Sequence, residues 1–360
     1  MVTIAEIKRS LTAKKKPVVK TKGLLSLGST VLNMGCSDSP IGAIPKGNYV
    51  LFVGDSSSGK TWLALSCFAE AMISKRFKNY DIVYDNVENG ALMDIAHYFG
   101  PRVAEKLQPP ARDRHGDAVF STTVESFYYH VHDRSKKGRP FIYVLDSMDA
   151  LDSEDADELF EANKKASREG AKSKGSYGTK AKRNSEMLRK VLKGIQQTGS
   201  VLIIICQTRD NIGFTAQFNP KVFSGGRSLR FYAGMEIWTQ RKTKIKKTIK
   251  GKPRVIGIIT ECKIKKNRIT GKDRTVEVPI YYDVGIDDTG SCIDYLISEK
   301  HWSVVKGMIK APEFGFKGPR EKLVAKIENS NREKELRTLA GDVWKEIENA
   351  SSIKRKNRYA

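Results

Sequence analysis

The run Gly54-Asp55-Ser56-Ser57-Ser58-Gly59-Lys60-Thr61 carries the most specific chemistry in this chain. It fits the pattern G-x-x-x-x-G-K-[ST] at every position. Its glycines let the backbone curl, so that successive N–H groups point inward as a nest for phosphate oxygens. Lys60 is placed to reach β- and γ-phosphates, and the Thr61 hydroxyl to meet a magnesium ion. A second candidate is Asp146, which ends the apolar run Phe141–Leu145 and could serve Mg²⁺ directly or through water. Hydrolysis also needs a group that orients and deprotonates water. Glu88, just past the apolar run Ile82–Tyr84, offers a carboxylate for this, although alone it reads equally well as an exposed loop acid. Gln207 closes the apolar run Val201–Cys206. Its neutral amide could sense a γ-phosphate, or simply cap the strand.

These groups need elements to hold them. Apolar runs at Tyr49–Val53, Ile82–Tyr84, Phe141–Leu145 and Val201–Cys206 suit buried parallel strands. Helical patterns alternate with them at Trp62–Ile73, Ala91–Phe99, Val124–His130 and Asn184–Gln197. The fold class this predicts is α/β, a mainly parallel sheet flanked by helices. The glycine-rich loop then joins a strand to a helix whose N-terminus faces the phosphates. Further on, Met235–Arg241, Val255–Lys265 and Thr275–Asp283 read as antiparallel strands joined by charged turns. The organisation predicted is a basic arm (1–23), an α/β core (24–296), a small, mostly helical C-terminal domain (297–350) and a basic tail (351–360). The acidic block Asp152–Glu161 and the Lys/Ser/Gly-rich stretch Ala162–Arg183 read as long loops.

Composition narrows the partners. The chain has 360 residues and a formal net charge of +23, which favours a polyanion. The charge is clustered: Arg241–Arg268 holds twelve Lys/Arg against one acid, and Lys164–Arg183 holds eight against one. Such clustering beside a nucleotide motif points to nucleic acid, where an even spread would read as a solubilising surface. No apolar run is long enough for a membrane span. The N-terminus lacks a secretory core. Five scattered cysteines, with no CxxC pair, read as reduced structural residues of an intracellular protein. His130 and His132 share one side of a possible strand, with no further ligands to complete a metal site. The segment Arg209–Gly226 combines Arg209, Lys221, Arg227 and Arg230 with Phe214, Phe218 and Phe223. Cations could hold phosphates there and aromatic faces could stack on or wedge between bases; a core role for the phenylalanines is the alternative.

The order of these motifs, with Ser224-Gly225-Gly226-Arg227-Ser228-Leu229-Arg230-Phe231-Tyr232-Ala233 and Lys263-Ile-Lys-Lys266-Asn267-Arg268, resembles the RecA family of DNA recombinases. The resemblance covers about residues 24 to 300. It implies a RecA-type ATPase core that uses ATP and Mg²⁺. In it Gly54 to Thr61 hold the nucleotide, Thr61 and Asp146 serve the metal, and Glu88 is the catalytic base. Gln207 would couple nucleotide state to a second DNA-binding loop, Arg209 to Gly226, which includes Gly225. The first DNA loop would fall in the Lys164–Arg183 segment, with Lys172 and Lys174 as contacts. Lys266 and Arg268 would act in trans on a neighbour's γ-phosphate, and Phe231 would sit between subunits. Implied partners are single-stranded DNA, homologous duplex DNA, further copies in a helical filament, and single-strand-binding or loader proteins. The implied setting is the cytoplasm, at the nucleoid. No tyrosine stands where the family stacks adenine. The basic tail, where bacterial members are commonly acidic, suggests a phage or mobile-element relative. A ring-forming helicase of the same fold, a regulatory DNA binder and a small-molecule kinase are the rival readings. The short arm before the core speaks against the first, the intact phosphate loop against the second, and the charge against the third.

Overall fold

A computed structural model of the chain describes residues 23–88, 93–168, 179–210, 221–223, 226–353 and 355. A short ladder of β1 (Leu24–Leu25) and β2 (Ile44–Pro45) brackets α1 (Thr30–Ser37). Then follow β3 (Asn48–Gly54), α2 (Lys60–Ile73) and β4 (Asp81–Asn86). Two short helices, α3 (Ile95–Phe99) and α4 (Pro101–Lys106), lead into β5 (Leu107–Gln108). A small hairpin of β6 (Ala111–Arg112) and β7 (Ala118–Val119) precedes α5 (Val124–Lys136), β8 (Phe141–Asp146), α6 (Glu154–Arg168) and α7 (Thr179–Thr198). Next come β9 (Val201–Asp210), β10 (Lys221–Phe223), α8 (Arg227–Tyr232), and the long strands β11 (Met235–Ile249) and β12 (Lys252–Asn267). β13 (Arg274–Tyr281), β14 (Gly285–Ile286) and α9 (Asp288–Ser298) complete this part. The last segment holds β15 (Ser303–Val305), β16 (Met308–Ala311), β17 (Phe316–Gly318), α10 (Arg320–Asn329) and α11 (Glu333–Ala350).

The main sheet runs β14-β13-β12-β11-β3-β9-β8-β4-β5, with β10 added alongside β9. The strands from β11 through β5 are mutually parallel, and β12, β13 and β14 are antiparallel additions. The parallel strands are buried on both faces, hence their unbroken apolar sequences. Along β3 the period of two is plain. Val50 and Phe52 enter one core with α1, α2 and α9, whereas Tyr49, Leu51 and Val53 enter another with α5 and α7. This is the α/β class expected from the sequence.

Several local expectations change. The acidic block is not a loop, because α6 spans it; Glu154, Asp155 and Asp157 lie in its first turn and Lys165 and Arg168 in its last, the arrangement the helix dipole favours. His130 and His132 lie on helix α5, not on a strand. Of the expected Ala91–Phe99 helix, the described residues show Ile95–Phe99, which Asp94 caps by accepting from the His97 N–H; Ala91 and Leu92 lie outside the described residues. β9 does not stop at Cys206 but runs on to Asp210, because β10 pairs with its last residues. Beyond residue 300 the chain forms a three-stranded antiparallel sheet as well as helices. All five cysteines are buried and unbridged. No described helix is long and apolar enough to cross a membrane.

Candidate functional site

The loop after β3 keeps its shape for steric reasons. A Cβ on Gly54 would lie 2.3 Å from the Thr239 carbonyl oxygen on β11, so only glycine fits there. Gly59 has φ +92° and Ser57 φ +57°, the left-handed backbone that turns N–H groups inward. Ser58 is buried, its hydroxyl 2.7 Å from Thr239 Oγ1, and Thr260 Oγ1 donates to its carbonyl at 3.1 Å. The loop is thus pinned from β11 and β12. Lys60 folds back into it, donating to the carbonyls of Gly54 (2.8 Å) and Asp55 (2.6 Å). Burial pushes the Lys60 ammonium below the usual lysine range, while the Asp146 and Glu88 carboxylates oppose that shift. Asp55 accepts from Thr208 Oγ1 and pairs with Lys221 at 3.2 Å.

The sheet order then lines up the rest. β3, β9, β8 and β4 are consecutive neighbours, and their carboxyl ends present the loop, Gln207, Asp146 and Glu88 in a row. Register fixes the pairs: Gly54 lies beside Gln207, and Asn86 beside Asp146. Asp146 Oδ2 accepts from Thr61 Oγ1 at 2.7 Å and from the Tyr84 hydroxyl at 3.1 Å. Burial raises the Asp146 carboxyl above its usual range, against those two hydrogen bonds. Glu88 Oε1 accepts from Gln207 Nε2 at 2.9 Å and from the Ser147 hydroxyl. The Glu88 N–H donates to the Asp146 carbonyl at 3.2 Å. So the site residues read from four separate sequence segments meet at the carboxyl ends of adjacent interior strands. Three participants were not picked out in the sequence. Tyr84 holds Asp146, Ser147 holds Glu88, and Asp149 accepts from the Gln207 N–H at 2.6 Å. The signal available was weak: Ser147 and Asp149 merely follow a strand-ending aspartate.

Lys266 and Arg268 lie elsewhere. Register sets Thr239 beside Gly54, and Lys266 opposite Glu236, which pairs with Leu51. Lys266 is therefore three residues, about 10 Å, back along the sheet from its own phosphate loop. Lys266 Nζ donates to the carbonyls of Arg230 (2.6 Å) and Phe231 (2.8 Å), and Arg268 Nη2 to that of Phe231 (2.9 Å). These are the free carbonyls of the α8 C-terminus, which attract cations. Burial lowers the Lys266 ammonium, and the neighbouring Arg268 lowers it further. Phe231 beside them is 65% exposed.

The candidate DNA residues divide. Arg209 and Arg227 are exposed. Gly226 has φ +84° at the start of α8, close against Ala181, which explains the glycine. Lys221 is engaged by Asp55 and Asp210. Arg230 is not a free phosphate contact, since it pairs at 2.9 Å with the buried Glu236. Phe223 packs against the α5/α7 core and does not stand clear as a wedge. At the end of the expected first DNA loop, Arg183 pairs with Glu125 and Asp155, and Lys180 donates to the Leu151 carbonyl, so both tie α7 down. Lys172, Lys174, Phe214, Phe218 and Gly225 lie outside the described residues. Among the described residues no His/Cys/Asp/Glu cluster is suited to a metal ion.

Residues 142–287 match the family model of the RecA N-terminal domain. That span contains Asp146, Gln207, Lys266 and Arg268. Among curated proteins, the chain is 29% identical to protein RecA of Chlorobaculum tepidum over 334 residues, covering 90% of this chain and 82% of that one. It is 27% identical to protein RecA of Clostridium tetani over 327 residues, covering 87% and 84%. A stretch of either length includes residues 54–61 wherever it begins.

Proposed function

The chain belongs to the RecA family, and from that premise we propose that it is an ATP-dependent DNA recombinase. In this reading it polymerises on single-stranded DNA as a helical filament and pairs that strand with homologous duplex. The observation that carries the proposal is the row formed by the phosphate loop, Gln207, Asp146 and Glu88, with Gln207 on a strand that leads straight toward the candidate DNA loop.

The residues suit the cofactors. Thr61 and Asp146 present a hydroxyl and a carboxylate 2.7 Å apart, the hard oxygen donors that Mg²⁺ prefers. The nest after Gly54 and the ammonium of Lys60 suit a polyphosphate. ATP supplies the phosphoryl group and Mg²⁺ neutralises its charge. Lys60 exchanges its two loop carbonyls for phosphate oxygens. Glu88, steadied through Oε1 by Ser147 and Gln207, keeps Oε2 to accept a proton from water. Gln207, bonded to Glu88 on one side and to Asp149 through its N–H, transmits a shift at Glu88 into β9. Lys266 and Arg268, turned away from their own loop, serve the next subunit's nucleotide in the manner of arginine fingers. The fold limits given above, 24–296 for the core and 297–350 for a C-terminal domain, belong to the same proposal.

The test is ATP turnover with and without single-stranded DNA, with electron microscopy of the same samples. DNA-stimulated turnover together with helical filaments supports the recombinase. Closed rings with turnover indicate a motor of the same fold. Absence of both turnover and assembly leaves only a DNA binder.

A further inference from the structure

After β8 the chain makes a tight bend, with a single 3-10 turn at Met148–Ala150, before α6 begins. Polar groups of this bend reach in three directions. The Ser147 hydroxyl donates to Glu88 Oε1. Asp149 Oδ2 accepts from the Gln207 N–H at 2.6 Å, a short bond of the charge-assisted kind. The carbonyls of Asp149 (3.4 Å) and Leu151 accept from Lys180 Nζ, and the Ser153 hydroxyl donates to Thr179 Oγ1 at 2.9 Å. Thr179 and Lys180 open α7 and lie in the Lys164–Arg183 stretch where the first DNA loop is expected. One bend thus touches the candidate base, the strand end that carries Gln207, and the first DNA segment. Its far end is held to α5, because the Val124 N–H donates to the Asp152 carbonyl at 2.8 Å. Glu88, Asp149, Gln207 and Arg209 line one open cavity here.

Lys180 stands in an unfavourable place. A cation in the first turn of a helix meets the positive end of the helix dipole. The first turn of α7 holds no acid, and Lys182 and Arg183 follow closely. Lys182 is exposed, whereas Lys180 turns inward and is partly buried. Burial pushes its ammonium below the usual lysine range, with Asp149 and Asp152 pulling the other way. A neutral residue would avoid both penalties, so the helix alone does not account for a lysine.

We propose that Lys180 and Asp149 are positioning residues that carry occupancy of the first DNA segment to Glu88. A strand held by the Lys164–Arg183 segment shifts the start of α7, and Lys180 then pulls on the two carbonyls of the bend. The bend responds at both of its contacts with the site, Asp149 on the Gln207 N–H and Ser147 on Glu88. Because Glu88 Oε1 accepts from Gln207 and from Ser147, its orientation answers to both DNA segments: to the second through β9, and to the first through the bend. The proposal deepens the recombinase reading and rests on it for the two DNA segments.

The test compares Lys180→Met, Lys180→Arg, Asp149→Ala and the double variant Lys180→Met/Asp149→Ala in the full chain. ATP turnover is measured without DNA and with saturating oligo-dT, and oligo-dT affinity with a non-hydrolysable ATP analogue. Lys180→Met keeps the apolar stem and removes the donor. It should lower strand-stimulated kcat about tenfold, a usual size for coupling between sites. DNA-free turnover and oligo-dT affinity should stay at the parent's values. Lys180→Arg, still able to donate to both carbonyls, should restore stimulation. Asp149→Ala should lose stimulation too, and the double variant should be no worse than the poorer single one, since both residues lie on one route. Full stimulation in Lys180→Met would overturn the proposal. So would an oligo-dT affinity that falls along with it, which would make Lys180 a phosphate contact. An equal fall in DNA-free turnover, or no restoration by Lys180→Arg, would reduce Lys180 to scaffold and equally overturn it, as would losses that multiply in the double variant. Failure of the recombinase reading appears differently, as absence of strand-stimulated turnover in the parent protein.

Discussion

Among the described residues, Glu88 is held through Oε1. Ser147 and Gln207 both donate to Oε1, so the side chain is oriented, and no described residue is shown bonded to Oε2. An amide in its place would keep much of the shape but could not take a proton. Glu88→Gln is therefore expected to lower strand-stimulated hydrolysis by about 10²–10⁴-fold while leaving ATP affinity close to the parent's. Turnover by phosphate release and affinity by nucleotide titration read the two effects separately. A variant that loses affinity and rate together would make Glu88 a nucleotide-binding residue and not a base. Legibility at this scale follows sequence distance. The phosphate loop is one continuous motif, and Asp146 ends an apolar run, so both could be read directly. Tyr84, Ser147 and Asp149 matter only because sheet register brings separate strands together. Arg230 looked free for DNA because its partner, Glu236, is fixed by folding and not by any local spacing.

At the scale of elements, one polar knot ties α5 to β4 behind the site. Asp85, fully buried on β4, accepts from the Ser121 N–H (3.0 Å), the Ser121 hydroxyl (2.5 Å) and the Tyr143 hydroxyl (2.6 Å). Ser121 Oγ has given its only proton to Asp85, so His130 Nδ1, 3.0 Å away, must be the donor to it. Burial holds the His130 imidazole below its usual range, and Arg134 adds to this; Asp85 and Asp133 pull the other way. The unfolded chain therefore binds this proton more readily than the folded one. Stability should be full above the unfolded value near 6.5 and fall as pH drops below it toward the depressed folded value. His130→Gln should remove that part of the acid-side slope, as measured by urea unfolding across pH. Parallel curves for parent and variant would dismiss the titration as a contributor. The strands of the parallel sheet were readable because both of their faces are apolar. α6 was not, because none of its residues is buried and its thin apolar stripe, Ala156, Leu159 and Ala166, is interrupted by Asn163; its end charges are the clearer hint of a helix. The sheet of β15, β16 and β17 was missed because its strands are three or four residues long, too short for a period of two to emerge.

At the scale of the whole molecule, two long-range relations carry consequences that spacing along the chain could not convey. First, the C-terminal segment shares a core with the rest. Leu323, Ile327, Leu336 and Trp302 are buried in the same cluster as α1, α2 and α9. Arg274 on β13 bridges Glu348 and Asp38 and lies 4.8 Å over the Trp344 ring. Burial of each large apolar side chain contributes about 1.5–3 kcal/mol. Ending the chain after Ser298 should thus lower the unfolding midpoint of what remains; an unchanged midpoint would make 297–350 an independently folding unit. Second, Lys266 is bonded to the α8 carbonyls and lies about 10 Å back along the sheet from its own phosphate loop, which leaves it for a neighbour in a head-to-tail assembly: each interface would join one subunit's loop to its neighbour's Lys266. Lys60→Ala and Lys266→Ala should each be inactive alone. In a random mixed assembly, a working site forms where a Lys266→Ala subunit, intact at its loop, meets a Lys60→Ala neighbour that lends its Lys266. With equal parts that chance is about one-half times one-half, so turnover should recover to about a quarter of the parent's. It should fall symmetrically as either variant dominates. If both lysines served the same subunit's nucleotide, no mixture would contain a complete site, and turnover would stay at the floor for every ratio.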